Sequence, residues 1–186
     1  MHLPYFQPMK NLFLLIAIFI GLSQSQAQKV EWMSFEEAVE ANEKEPRKLL
    51  IDVYTDWCGW CKKMDKDTYA HPIIAKYINE NYYPVKFNAE TTDTIVLFDT
   101  LIFVNPNPKG RRSSHQLAVS LLGGKMSYPT TLFMNEEVKI LQKVPGYLDA
   151  KAIEPILYYF NEDGHLTVPY EEFKKNFDSF IKEEEE

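Results

Sequence analysis

Cys58 and Cys61 are the only two cysteines of the 186-residue chain, and Gly59 and Trp60 separate them. Two thiols at this spacing, after a strand and at the start of a helix, can exchange disulfides. The first amides of a helix are unpaired and its dipole is positive there, so a thiolate at Cys58 is stabilised. A free cysteine has a pKa near 8.5, and lowering it to about 7 makes half of it thiolate at neutral pH. Cys61, one turn on, is placed to attack a mixed disulfide formed at Cys58. Two other uses of the pair stay open at this level. A structural bridge over so short a loop restricts the unfolded chain little. A zinc site wants two more Cys or His ligands, and His71, His115 and His165 are scattered.

A second chemical group lies just upstream. Leu49 to Tyr54 is an apolar run broken by one acid, Asp52, six residues before Cys58. A buried acid without a partner is costly when charged, so its pKa should rise. A proton carrier beside Cys61 is useful, because Cys61 must lose its proton to attack. The alternative is a tolerated acid on an exposed edge strand. Lys62 and Lys63 help only weakly if exposed. Asn161 to Leu166 hints at a calcium loop, but Tyr159 and Tyr170 fall where carboxylates are required. Lys109-Gly110-Arg111-Arg112 reads as a solvated basic loop. Tyr170, Phe173, Phe177, Phe180 and Ile181 form a helical aromatic stripe that should dock on the domain, with a partner groove as the alternative.

The elements that position these groups alternate strand and helix. Ser34-Phe35-Glu36-Glu37 is a capping box opening a helix that Pro46 ends. The 49–54 run suits a central strand covered on both faces. A charged helical stretch runs from the cysteines to about Asp67, and His71-Pro72 restarts a helix through Asn81. Tyr83 to Asn88 is the next strand. Ile95 to Phe98 and Leu101 to Val104 suggest a hairpin around Asp99-Thr100. Ser113 or Ser114 should cap a helix that Gly123-Gly124 stops. Thr130 to Met134 and Val138 to Val144 form a last hairpin, and Asp149 caps a helix to about Phe160. This order predicts an α/β domain with a parallel pair, a closing antiparallel hairpin and helices on both faces. Residues 91–112 should be a surface insertion that either tunes substrate choice or extends the sheet.

Composition narrows the function classes. The chain is 45% hydrophobic and 14% aromatic, which excludes overall disorder. Its net charge of -7 argues against nucleic-acid binding. Leu12 to Leu22 is eleven apolar residues, too short to span a membrane and suited to a secretory signal, with Lys10 before it and Ser25-Gln26-Ala27 behind it. Cleavage is expected after Ala27, with an uncleaved anchor as the alternative and Met9 as an alternative start. The mature chain then has 19 Lys and Arg against 27 Asp and Glu, a net of -8. The division expected is a signal peptide over 1–27, one domain over 28–160 and a C-terminal extension with an acidic tail over 161–186. The product should be a periplasmic or otherwise exported monomer, with no stable membrane insertion.

Ile51-Asp52-Val53-Tyr54-Thr55-Asp56-Trp57-Cys58-Gly59-Trp60-Cys61-Lys62 resembles the active-site segment of the thioredoxin superfamily. Asp52 matches the buried acid of that superfamily, Lys86 the lysine that approaches it, and Tyr128-Pro129-Thr130 the loop with its cis-proline. Gly146 matches a glycine after the last strand. The chain departs from it in having Gly59-Trp60 where Gly-Pro is frequent, in the length of 91–112, and in the tail. The chain also resembles exported bacterial thioredoxin-like proteins, including the C-terminal domain of the Dsb-type reductant conduit. The resemblance implies a thioredoxin fold with an inserted hairpin and a C-terminal helical extension. It implies Cys58, Cys61 and Asp52 as catalytic groups, Lys86 in support, and Trp57, Gly59, Trp60, Tyr128, Pro129 and Thr130 as the substrate rim. Neither metal nor cofactor is implied. Partners would be protein disulfides and an upstream thiol–disulfide donor. The acid, lysine and tryptophan matches favour a reductase. Alternatives are an oxidase or isomerase, or a binding or chaperone module that kept the dithiol as a clip.

Overall fold

The computed structural model describes residues 29–182; the expected signal peptide and the terminal run of glutamates at 183–186 lie outside them. The first helix, α1 (Phe35–Lys44), begins at the expected capping box. Glu37 N–H donates to the Ser34 hydroxyl (3.1 Å) and Ser34 N–H to the Glu37 carboxylate (2.8 Å). Then come β1 (Leu49–Tyr54), a short α2 (Gly59–Met64) that runs into one π-helical turn over Asp65–Tyr69, and α3 (Pro72–Asn81) with Pro72 in its first turn. β2 (Tyr83–Asn88) is next, then a hairpin of β3 (Ile95–Leu97) and β4 (Leu101–Phe103). After it come α4 (Gln116–Leu122), β5 (Thr130–Met134), β6 (Ile140–Pro145) and α5 (Ala150–Asn161). A 3-10 turn (Gly164–Leu166) and α6 (Tyr170–Lys175) close the described chain.

The main sheet has the order β2-β1-β5-β6, with β1 and β2 parallel and the other two pairs antiparallel. β1 is therefore central, and alternation sorts its side chains between two cores. Leu49, Ile51 and Val53 join the core under α1 and α4, with Leu132 and Met134 of β5. Leu50 joins the core under α3 and α5, with Met64, Tyr69, Ile78, Phe133 and Leu157. Asp52 is in step with Leu50, so it points to the α3–α5 side, and the strand register sets it beside Lys86 of β2 and Thr131 of β5.

Four local expectations need correction. The 95–103 hairpin does not extend the main sheet but forms a two-stranded sheet of its own. Nor is it merely superficial, because Ile95 and Leu97 are buried in the α1–α4 core. The cap of α4 is His115, whose Nδ1 accepts the Leu117 N–H at 3.2 Å, not Ser113 or Ser114. The Ser113 hydroxyl is engaged elsewhere, donating to Asn105 Oδ1 at 2.7 Å. β6 begins at Ile140, because Val138 (φ 58°) and the Asn135 side chain, which accepts the Glu137 and Lys139 N–H groups, hold the preceding residues in the turn. The aromatic stripe at the C-terminus is not one helix either. α6 ends at Lys175, and the chain beyond it folds back onto α5, where Tyr158 meets Phe177 and Phe180 while Tyr159 meets Tyr170 and Phe173.

Candidate active site

Cys58 is the N-cap of α2 and is disulfide-bonded to Cys61, with the Cα atoms 5.3 Å apart. Cys61 N–H donates to Cys58 Sγ at 3.0 Å, and Cys58 N–H donates to the Thr55 carbonyl at 3.1 Å. The first of these bonds aims a free helix amide at the sulfur that would carry negative charge on reduction. In the disulfide both are covered, Cys58 exposing 5% of its surface and Cys61 1%.

Aromatic residues flank the dithiol. Trp57 and Trp60 expose 52% and 60% of their surface. Trp57 meets Tyr128 edge-on with ring centroids 5.9 Å apart, and its indole N–H donates to Glu90 at 3.0 Å. Trp60 leans on Tyr147 at 5.5 Å, over which Lys63 also sits. Space is open above Gly59, with no atom within 4 Å of where a β-carbon would stand. The Tyr128–Pro129 peptide bond is cis, and the Pro129 carbonyl accepts the Gly146 N–H at 2.8 Å. Thr130 is buried and gives its hydroxyl to the Ser127 carbonyl at 2.8 Å. Its side chain is therefore inside the sheet and not part of the exposed rim.

Asp52 lies on the inner side, fully buried. The edge-strand alternative is excluded, since β1 is central. Lys86 Nζ donates to Asp52 Oδ2 at 2.5 Å and also reaches Asp65, and its ammonium lies 4.9 to 5.6 Å from the ring centres of Tyr54, Trp32 and Tyr69. The other oxygen, Oδ1, is buried without a partner, as is the Thr55 hydroxyl. Burial pushes the Asp52 carboxyl up to about 6, with Lys86 opposing that rise and Asp65 adding slightly to it. Burial works against the Lys86 charge, but the two carboxylates outweigh it and hold its pKa above that of an ordinary lysine.

Asp65 was not singled out in the sequence. Its N–H donates to the Cys61 carbonyl, so it sits one turn beyond Cys61, and it is the one member of the Asp52–Lys86–Asp65 group open to solvent, its side chain 42% exposed. The i, i+4 spacing from Cys61 was the available signal. What gives that spacing meaning is Lys86, 21 residues away.

Residues 19–102 match the family Thioredox_DsbH, described as a protein of unknown function, DUF255. An uncharacterized protein of Archaeoglobus fulgidus is 27% identical over 94 residues, which span 47% of this chain and 74% of that one. Among solved structures, a DsbH oxidoreductase superposes over 76% of this chain and 93% of its own, with TM-score 0.52 and 15% identity. A thioredoxin-fold protein from Helicobacter pylori does so over 81% and 89%, with TM-score 0.55 and 12% identity. A thioredoxin from Thermus thermophilus covers 71% and 87%, with TM-score 0.53 and 12% identity. This is a thioredoxin fold. Within it, the dithiol sits where β1 hands over to α2, the cis-proline loop enters β5, and the buried acid lies on the central strand. Among the described residues no helix of this thioredoxin-fold chain is long and apolar enough to cross a membrane.

Proposed function

We propose that the chain is an exported thiol–disulfide oxidoreductase that reduces protein disulfides. The observation that carries this reading is the pairing of a formed Cys58–Cys61 disulfide with a buried acid, Asp52, whose pKa is raised to about 6 and whose second oxygen is unpartnered. In the reduced protein the Cys58 thiolate attacks one sulfur of the substrate disulfide. A mixed disulfide forms and one substrate thiolate leaves. Cys61 passes its proton to the Asp52 carboxylate and attacks Cys58 Sγ, releasing the second substrate thiolate. Two electrons have moved to the substrate, and the protein is left with its Cys58–Cys61 disulfide closed. An upstream dithiol donor resets it. The Trp57, Trp60 and Tyr128 rings and the cis Pro129 loop form the surface on which an extended substrate segment lies.

The test is insulin reduction with dithiothreitol, comparing the chain with Cys58→Ser. Precipitation should be fast for the first and at background for the second; equal rates would leave the dithiol as a structural clip. The direction of electron flow is tested by the reduction potential of the pair. A value near about -120 mV, the strong-oxidant end of the range, would make the protein an oxidase.

A further inference from the structure

We propose that Arg112 selects substrates by charge, favouring a disulfide with an acidic residue beside it. This rests on the disulfide-exchange reading of Cys58 and Cys61. The basic cluster 109–112 belongs to a loop that is pinned at its base. The buried Asn105 donates its amide to the carbonyls of Thr91 (3.1 Å) and Ser113 (2.9 Å), and its Oδ1 accepts from the Ser113 hydroxyl (2.7 Å) and the Asn107 N–H (3.0 Å). Arg112 directly precedes Ser113 and has left-handed backbone, φ 59°. It places its guanidinium 4.9 Å from the centre of the Trp57 ring. The loop thus touches the Trp57 ring, which in turn meets Tyr128 on the same side of the dithiol.

A guanidinium laid on an indole face keeps its N–H edge free to grip a carboxylate in two parallel bonds. No ion pair to Arg112, Arg111 or Lys109 exists among the described residues. The nearby carboxylates have other partners, Glu90 the Trp57 indole and Asp56 the Asn88 amide. The chain as a whole is net negative. An acidic segment is therefore repelled at long range and held only where it reaches Arg112, which makes the preference short-ranged and specific to the rim.

The test uses the pre-reduced full chain in single turnovers with two disulfide peptides that differ only in a Glu or a Lys two residues from a cysteine. Hydroxyethyl disulfide, which is small and uncharged, reports the dithiol alone. The Glu peptide should react about threefold to fivefold faster than the Lys peptide at about 0.1 M salt, where the long-range repulsion is screened, the ratio shrinking toward one at about 1 M. Arg112→Lys should keep part of the ratio, Arg112→Ala should bring it near one, and Arg112→Glu should invert it. Only the ratio within each variant is read, so a general loss of activity cancels. A ratio of one in the unmodified chain, or an unchanged ratio in Arg112→Ala and Arg112→Glu, overturns the role of Arg112 while turnover of hydroxyethyl disulfide still supports the dithiol. No turnover of hydroxyethyl disulfide overturns both.

Discussion

Among the described residues, the domain buries two carboxylic acids completely, Asp52 on β1 and Glu154 on α5, and provides for them differently. Glu154 has both oxygens occupied. Oε1 accepts the Phe180 N–H at 2.8 Å, and Oε2 accepts the Ser179 hydroxyl. It fastens the C-terminal extension to the body of the fold. Asp52 has one oxygen on Lys86 and the other on nothing. The protein meets both oxygens of Glu154 with its own donors and gives Oδ1 of Asp52 none, leaving that oxygen to a water or a proton. An acid left so is available to carry the proton of the exchange proposed above, whereas the fully bonded acid acts as a fastening.

The sharpest way to break this comparison is Asp52→Asn. Without a carboxyl to take the Cys61 proton, resolution of mixed disulfides near pH 7 should slow by about tenfold to a hundredfold. The same change should stabilise the fold. The Asp52 pKa is raised from 3.8 to about 6, so the folded protein binds this proton more tightly than the unfolded chain. The stability it contributes is complete below about 3.8 and is lost as pH rises through about 6. Asparagine stays neutral at every pH, so the variant should be more stable than the parent at pH 7.5 by about 1–3 kcal/mol and nearly equal to it at pH 4. Thermal unfolding at the two pH values reads the second effect and stopped-flow resolution the first. An unchanged pH–rate profile would remove the proton-carrier role.

The contrast also shows what the sequence makes legible. Asp52 stands out because one acid interrupts a run of apolar residues on a strand, and Cys58 and Cys61 stand out by spacing; both signals are local. The capping box at Ser34 and Glu37 is local as well, and it forms as expected. Features that depend on distant partners could not be read. Asp65 looks like one more charge in the stretch after Cys61 until β2 brings Lys86 to it. The π-helical turn over Asp65–Tyr69 adds a residue to the helical repeat, so periodicity misplaces the side chains beyond Met64. The hairpin pairs within itself because Ile95 and Leu97 find the α1–α4 core, a choice no alternation pattern encodes. Glu154 lies in an otherwise apolar helix face, and only the return of the chain at Ser179 explains it.

Glu154→Ala sharpens the comparison from the other side. It removes the acceptor of the Phe180 N–H and the Ser179 hydroxyl, two bonds to a buried carboxylate whose loss costs about 1–3 kcal/mol. The Phe180 amide should exchange with solvent faster, and residues 176–182 should become cleavable by protease before the domain unfolds. Insulin reduction should stay at the parent rate, because nothing at the dithiol has changed. A loss of turnover comparable to that of Asp52→Asn would end the distinction between the two acids.

The smallest effect belongs to Asp65, which tests whether the half-satisfied acid is tuned or merely tolerated. Lys86 divides its charge between Asp52 and Asp65, and the negative charge of Asp65 adds to the rise in the Asp52 pKa. In Asp65→Asn, Lys86 is left with Asp52 as its one charged partner, and the nearby negative charge is gone. Both changes favour the charged form of Asp52, so its pKa should fall below about 6. The midpoint of the pH–rate profile for resolution should therefore move toward acid, while the plateau rate changes by less than about threefold, since Asp52 itself is intact. Stability should change by about 1 kcal/mol or less, because the Asp65 side chain is 42% exposed and its ion pair is screened. Titrating the Asp52 carboxyl by NMR in the disulfide form, beside the pH–rate profile, reads both predictions in one variant. A midpoint that stays in place, or moves toward base, would mean that Asp65 is a surface partner of Lys86 and that Asp52 owes its raised pKa to burial alone.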